Sequence, residues 1–378
     1  MSNQTQWDVA VVGAGIMGLA HAYTLAKRGR RVIVFERNQR AMSASVRNFG
    51  MLWPVGLWAG EWHRRALRSR DIWVEVLEQS GIWHEHTGSL HLAYRDDEAA
   101  VLREFINAAP QAGYDCEWRD ARQILSQSPL VNPDNLIGGM WSPTEVCVDP
   151  RQVIAALPGW LNKTFGVRFE FNCAVTAYDQ PKVTAGGREW QADRLIVCSG
   201  EDFQTLYPET FAASGMVRVK LQMMRSQAYG ADVKLGPMLA AGLTLCHYPC
   251  FNDCPSLPVL RERFERELPD YVRYGIHVMA SQHGSGEITL GDSHEYGDDI
   301  TPFDKDEIDR LILDYLRNFL ILPNLHIASR WQGVYAKHPT EVAYNAQPTP
   351  GVTIIGSPSG RGMTMSFGIA EMIVDSME

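Results

Sequence analysis

The chain has 378 residues, a formal net charge of -9 and a pI near 5.7. It is longer than the roughly 250 to 300 residues at which a single core stops growing, so two lobes are expected, and the acidic balance argues against a nucleic-acid partner while allowing a local basic pocket. No apolar run approaches the ~18 residues of a membrane-spanning helix, and seven cysteines fit free thiols in a reducing compartment.

The most informative stretch is Trp7 to Asn38. Val9 to Val12 is an apolar run too short for a helix, and Gly13, Gly15 and Gly18 follow it in G-x-G-x-x-G spacing before a stretch of helical period. This predicts strand, tight turn and helix. The first glycine permits the turn, the second lets backbone approach a pyrophosphate, and the third lets helix and strand pack closely, with Ala14 inside the turn. Arg31 to Phe35 reads as a second buried strand ending at Glu36, near the ~20-residue offset at which an acid grips an adenosine ribose hydroxyl; Arg37 follows it. Because the chain enters its first strand within a few residues, neither a signal peptide nor a transit segment is expected, and the cytoplasm is the expected location.

Ala41 to Gly56 should lie beside the cofactor, with Arg47 offering a fixed positive charge for phosphate or an anionic substrate. Trp53, Trp58, Trp62, Trp73 and Trp83 come soon after, and core packing is the expected role for most of them. Thr87 to Ala93 alternates as a strand, Asp96 to Ala112 reads as an amphipathic helix and Asp120 to Ser126 as a shorter one. Gln152 to Thr164 is an expected helix, Val167 to Asn172 a strand, and Val175 begins another. Trp190 to Gly200 closes a strand on Ser199 and Gly200, where a parallel sheet would again reach the cofactor.

Val217 to Ser226 and Ile288 to Gly291 read as strands of the second lobe. Cys246, Cys250 and Cys254 lie four apart beside His247, but Pro249 and Pro255 break any helix that would align them and zinc spacings are missing, so no metal is expected. Leu260 to Glu267 and Asp304 to Phe319 are expected helices, the latter with apolar positions at Ile308, Leu311, Ile312, Tyr315 and Leu316. Val352 to Ile355 forms a strand into a second glycine-rich loop, Gly356 to Met363, that feeds a C-terminal helix whose positive dipole end would favour negative charge on the cofactor.

Taken together, the glycine triplet with Glu36, SVRNFGM at Ser45 to Met51, ADRLIVCSG at Ala192 to Gly200, EITLGDSHE, RWQGVYA at Arg330 to Ala336 and GRGMT at Gly360 to Thr364 resemble the ordered motifs of the D-amino-acid oxidase superfamily. The resemblance implies an α/β fold: a Rossmann-type FAD-binding lobe (1–86, 145–218 and 321–378) with an inserted α+β substrate lobe (87–144 and 219–320) built on an antiparallel sheet. It implies FAD contacts at Gly13, Ala14, Gly15, Gly18, Glu36, Arg37, Ser45, Arg47, Asn48, Gly50, Met51, Val175, Ser199, Gly200, Gly333, Gly360, Arg361, Gly362, Met363 and Thr364. Many amine-oxidising members carry W-x-G-x-R-P, whose arginine binds a substrate carboxylate. Here Trp331 and Gly333 are followed by Tyr335 and Ala336, so that fork is missing. Gly333 stands where sarcosine oxidases attach flavin through cysteine, so non-covalent FAD is expected, and Thr289 stands where they carry a lysine for oxygen activation.

The same motifs resemble a subgroup proposed to act in aminophosphonate breakdown. They imply oxidation of a small amine bearing an acidic group, such as 2-aminoethylphosphonate or an N-methyl or hydroxy derivative. Hydride would pass from the amine carbon to flavin N5, with hydrolysis of the imine and reoxidation by molecular oxygen or another acceptor. Tyr335, His247, Lys337 and Arg47 are the candidate substrate-site residues, with Tyr248 and Arg361 as further donors. The alternatives are an amino-acid oxidase or dehydrogenase of glycine, sarcosine or D-amino-acid type, an alcohol-oxidising enzyme, and a flavin-binding protein without turnover of its own.

Overall fold

The structure is a computed structural model and describes residues 6–297, 299–356 and 358–377; Ser357, within the second glycine-rich loop, lies outside them. β1 (Gln6–Val12) is flanked in parallel register by β2 (Val32–Phe35) and by the strand Arg188–Val197. Arg168–Glu170 continues the sheet beyond β2, and Val352–Ile355 lies parallel to the second half of Arg188–Val197. An antiparallel hairpin, Val175–Asp179 with Lys182–Ala185, pairs with the first half of that strand.

The strand sequences are apolar on both sides because both faces are covered. Val9, Val11, Val32, Val34 and Ile196 pack into one apolar cluster with residues of α1 (Ile16–Lys27) and of the helices Glu61–Ser80, Pro150–Phe165 and Gly362–Ser376. The alternate residues Ala10, Ile33, Phe35, Leu195 and Val197 join Val183, Phe203 and Phe211 on the other side. Two glycines set the approach of α1 to β1. Gly13 has φ +96°, and a Cβ on Gly18 would fall 1.8 Å from the Gly13 carbonyl oxygen. No larger residue fits at Gly18 without parting helix from strand.

A second sheet of nine strands is organised around Val217–Ser226, which runs antiparallel to Ile327–Lys337 along nearly its whole length. Its far side carries Met238–Ala240, Ser89–Ala93, Gly138–Ser142 and Glu117–Asp120, and its outer face is covered by Asp96–Ala112, Leu257–Glu267 and Asp306–Phe319. The helix Asp306–Phe319 buries Ile308, Ile312, Tyr315, Leu316 and Phe319, leaving the expected Leu311 half-buried. The short helix Ala121–Gln127 starts on a capping box in which the Asp120 side chain accepts from the Gln123 amide and the Gln123 side chain accepts from the Asp120 amide. A small sheet of Met51–Leu52, His84–Glu85 and Val146–Val148 completes the described strands. Among the tryptophans, Trp73 is a core residue that donates to the Met363 carbonyl, whereas Trp53 lines a crevice and Trp58 lies under Arg361.

His21 on α1 is fully buried, with Nδ1 2.7 Å from the Met17 carbonyl and Nε2 without a partner. Burial drives its pKa from 6.5 down to about 4. Between those values the unfolded chain binds a proton that the native chain refuses, so stability falls as pH drops through 6.5 toward 4. The loss expected from this one group between pH 7 and pH 5 is roughly 2 kcal/mol. Urea denaturation at the two pH values checks it, and His21→Met removes that share of the pH dependence.

Candidate functional site

The C-terminal ends of β1, β2, Arg188–Val197 and Val352–Ile355 open together onto a crevice with a cavity volume of about 340 Å³. One end is built by the first βα turn. Gly13, Gly15, Glu36, Arg37 and Asn38 line it. The Glu36 carboxylate accepts from the Ala14 and Asn38 amides, each at 3.0 Å, so the acid at the end of β2 is locked onto the glycine turn. The Ile16 amide, first in α1, donates to Ser45 Oγ at 3.0 Å, which ties the SVRNFGM loop to the same helix end. Arg37 pairs with Asp202 at 2.9 Å, beside Ser199 and Gly200.

The middle of the crevice is lined by Ser45, Arg47, Asn48, Phe49, Met51 and Val175. Asn48 Nδ2 donates to the Ala44 and Ser45 carbonyls while its Oδ1 accepts from the Gly50 amide, a closed set of bonds that shapes the loop. Arg47 Nη1 donates to the Gln332 carbonyl at 3.1 Å, anchoring this loop to the strand Ile327–Lys337.

The other end holds Gly333, Tyr335, Gly360, Arg361, Gly362, Met363, Thr364, His247, Tyr248, His277, Asp292 and His294. The Arg361 guanidinium lies 4.7 Å from the Trp58 ring centre, with its buried Nε unpartnered; burial lowers its pKa. Burial likewise pushes His247, His277 and His294 well down and raises Asp292 and Tyr335, so the imidazoles and the phenol are neutral near pH 7. Arg361 is thus a fixed positive charge among neutral imidazoles and phenol.

Some expected contacts lie off the crevice. Ala14 and Gly18 act behind the surface, Ala14 through its amide and Gly18 through packing, and Gly50 is a turn residue with φ +72°. Lys337 does not line the cavity; its Nζ donates to the Tyr296 hydroxyl at 3.1 Å on an exposed edge. Thr289 is fully buried away from the crevice, between Arg225 Nε and His283 Nε2. Sequence reasoning misses His277, Asp292 and His294 because register across the second sheet is what brings them together; the His277 and Asp292 amides donate to each other's carbonyls. The polar run GDSHE in an otherwise buried strand region is the signal that points to them.

A dinucleotide cofactor fits this geometry. Glycines occupy the places where backbone must approach it, and a Cβ at Gly15, Gly333 or Gly360 would come within 3.1, 3.2 and 3.0 Å of Ser45 Oγ, the Arg47 carbonyl and the Tyr335 hydroxyl. A family model described as FAD dependent oxidoreductase matches residues 8–376. The chain belongs to that family, and its cofactor is FAD.

This FAD-dependent oxidoreductase is 32% identical over 152 residues to a component of the anaerobic glycerol-3-phosphate dehydrogenase of Escherichia coli K12, covering 39% of this chain and 27% of that protein. It is 29% identical over 160 residues to glycine oxidase of Geobacillus kaustophilus, covering 40% and 42% of the two chains. The chain therefore spans about a quarter of the first relative's length and under half of the second's. In fold it resembles the crystal structure of the Geobacillus kaustophilus glycine oxidase (TM-score 0.77, 18% identity, 98% and 94% coverage). L-proline dehydrogenase from P. horikoshii is similarly close (TM-score 0.76, 20% identity, 99% and 94% coverage). No helix among the described residues is long and apolar enough to cross a membrane.

Replacing Glu36 by Ala leaves the Ala14 and Asn38 amides without their acceptor and loosens the glycine turn. We expect Glu36→Ala to bind FAD at least about tenfold more weakly, ~1.4 kcal/mol, read as flavin-to-protein absorbance after gel filtration, with far-ultraviolet circular dichroism unchanged.

Proposed function

We propose that the chain oxidises a small primary or secondary amine bearing a tetrahedral acidic group, 2-aminoethylphosphonate or an N-methyl or hydroxy derivative, using non-covalent FAD. The observation that carries this reading is Arg361. Its half-buried guanidinium, with a buried and unpartnered Nε, shares the end of the crevice with Tyr335 and with the adjacent His247 and Tyr248, so the groups come from three segments rather than one strand. Such a scattered set of donors suits a tetrahedral anion, which can be gripped from several directions, better than a planar carboxylate. On the strand Ile327–Lys337, Tyr335 is followed by the buried Ala336, which cannot supply a fork.

When bound, FAD supplies the two-electron acceptor for the substrate's hydride. The residues supply binding and orientation. Arg361 holds the anion, and the Tyr335 hydroxyl, neutral and therefore a donor, fixes the anion's second face. The cationic Arg361 in a poorly hydrated pocket also disfavours an ammonium next to it, which keeps the amine in the neutral form that releases hydride. Water then hydrolyses the imine to an aldehyde and a free amine.

The names of glycine oxidase and L-proline dehydrogenase support amine oxidation. That of glycerol-3-phosphate dehydrogenase favours a second reading, an alcohol on a phosphorylated substrate, which would use the same tetrahedral-anion site.

The test is anaerobic bleaching of the flavin's visible absorbance by 2-aminoethylphosphonate, its N-methyl and 1-hydroxy forms, glycine, sarcosine, D-alanine and glycerol 3-phosphate. Bleaching by the aminophosphonates is expected; bleaching by the carboxylates alone overturns the substrate class, and bleaching by glycerol 3-phosphate alone selects the second reading. Arg361→Met should raise the half-saturating phosphonate concentration at least about tenfold, as expected for a lost charged hydrogen bond of ~1.5–3 kcal/mol.

A further inference from the structure

Three histidines from three separate segments converge beside Tyr335 and Arg361. His247 follows the short helix Gly242–Leu245, His277 precedes the strand Met279–Gln282, and His294 precedes Glu295–Gly297. Backbone bonds hold each in place: the His247 amide donates to the Thr244 carbonyl, His277 and Asp292 exchange amide-to-carbonyl bonds, and the His294 amide donates to the Tyr274 carbonyl. The rings crowd together, with His247 and His277 stacked at 3.7 Å between centres and His294 at 4.7 and 5.1 Å from them.

We propose that His247, His277 and His294 form a binding site for a divalent transition metal of the zinc type, with its open coordination positions facing the crevice. One ligand nitrogen from each ring lies within 4.8 Å of the others. Nitrogens bound to one tetrahedral zinc are about 3.4 Å apart, so the rings close by up to about 1.4 Å to share one ion. Imidazole is the ligand type that zinc, copper, iron and nickel accept.

A second observation points the same way. Both ring nitrogens of His277 and Oδ1 of Asp292 are buried without a hydrogen-bond partner, although His277 Nε2 and that oxygen lie 3.2 Å apart. A packed imidazole with neither nitrogen satisfied is costly. A cation on one nitrogen, with Asp292 accepting from the other, satisfies both, as in the carboxylate-histidine-metal arrangement. The orientation of His294 is already set. Its Nδ1 faces the Gly275 carbonyl at 3.0 Å and donates to it, leaving the Nε2 lone pair available to a metal.

Three protein ligands with an open position are the pattern of metal sites that bind a substrate rather than only brace a fold. Resting on the aminophosphonate reading, we take the substrate's anionic group as the ligand of that position, shared with Arg361.

The experiment uses the flavin-bound enzyme, stripped with EDTA, loaded with Co²⁺ and freed of excess by gel filtration. Metal analysis should give one Co²⁺ per chain, and a difference spectrum against cobalt-free holoenzyme should show ligand-field bands of low coordination number. His277→Gln and His294→Gln should weaken Co²⁺ binding by more than the 10–100-fold that loss of an outer-shell partner costs, with the flavin spectrum reporting that each variant is folded and loaded. Substoichiometric cobalt in the parent enzyme, or equal retention by the variants, overturns the site. Adding 2-aminoethylphosphonate should shift the cobalt bands; bands that stay unmoved overturn the substrate contact. Cobalt stoichiometry is read without substrate, so failure of the site is distinguishable from failure of the amine panel.

Discussion

The contact on which the rest of the structure depends is the near-touch of α1 and β1 at Gly18 and Gly13. Helix and strand approach so closely that no side chain fits between them, and the N-terminus of α1 is thereby aimed along the end of the sheet. Every other part of the crevice is placed relative to that end. Ser45 is bonded to the first amide of α1, Glu36 to the turn itself, and Arg47 links the same loop to the strand Ile327–Lys337. The site is a chain of bonds leading outward from one glycine pair.

The electrostatics of the crevice change along its length. At the turn end, a carboxylate held by backbone amides and an Arg37–Asp202 pair make a polar cradle. At the other end, burial holds the histidines neutral, raises the aspartate and tyrosine above their ordinary ranges and leaves a guanidinium. In a medium of low polarity one retained positive charge has a long reach, and on the proposed reading Arg361 would orient an anionic substrate and favour the neutral form of a neighbouring amine.

The antiparallel ladder of Val217–Ser226 with Ile327–Lys337 carries Gly333 and Tyr335 to the crevice, and the pairing of Val217–Ser226 with Glu295–Gly297 carries His294 there. The first sheet builds the turn end of the crevice and the second builds the end that holds Tyr335 and the histidines. The ladder between distant segments holds the two in register.

Much of this is legible in the sequence. The glycine triplet, the acid after β2, the strands Val217–Ser226 and Val352–Ile355 and the helix Asp96–Ala112 follow from local rules: period, turn chemistry and spacing act within a few residues. The same local reasoning places Lys337 in the site and sets the Cys246 to Cys254 region aside as a metal site by its prolines and its spacing. Whether Lys337 faces the crevice or an exposed edge is decided by the twist of a strand against its partner, and His247 meets His277 and His294 only because three loops are folded onto one another. The sequence by itself determined the glycine turn and the acid that follows β2, since both lie within one strand-helix-strand unit where period and spacing act. The gathering of His247, His277, His294 and Asp292 beside Tyr335 was decided by the tertiary structure, because these groups come from separate segments joined only by sheet register and burial.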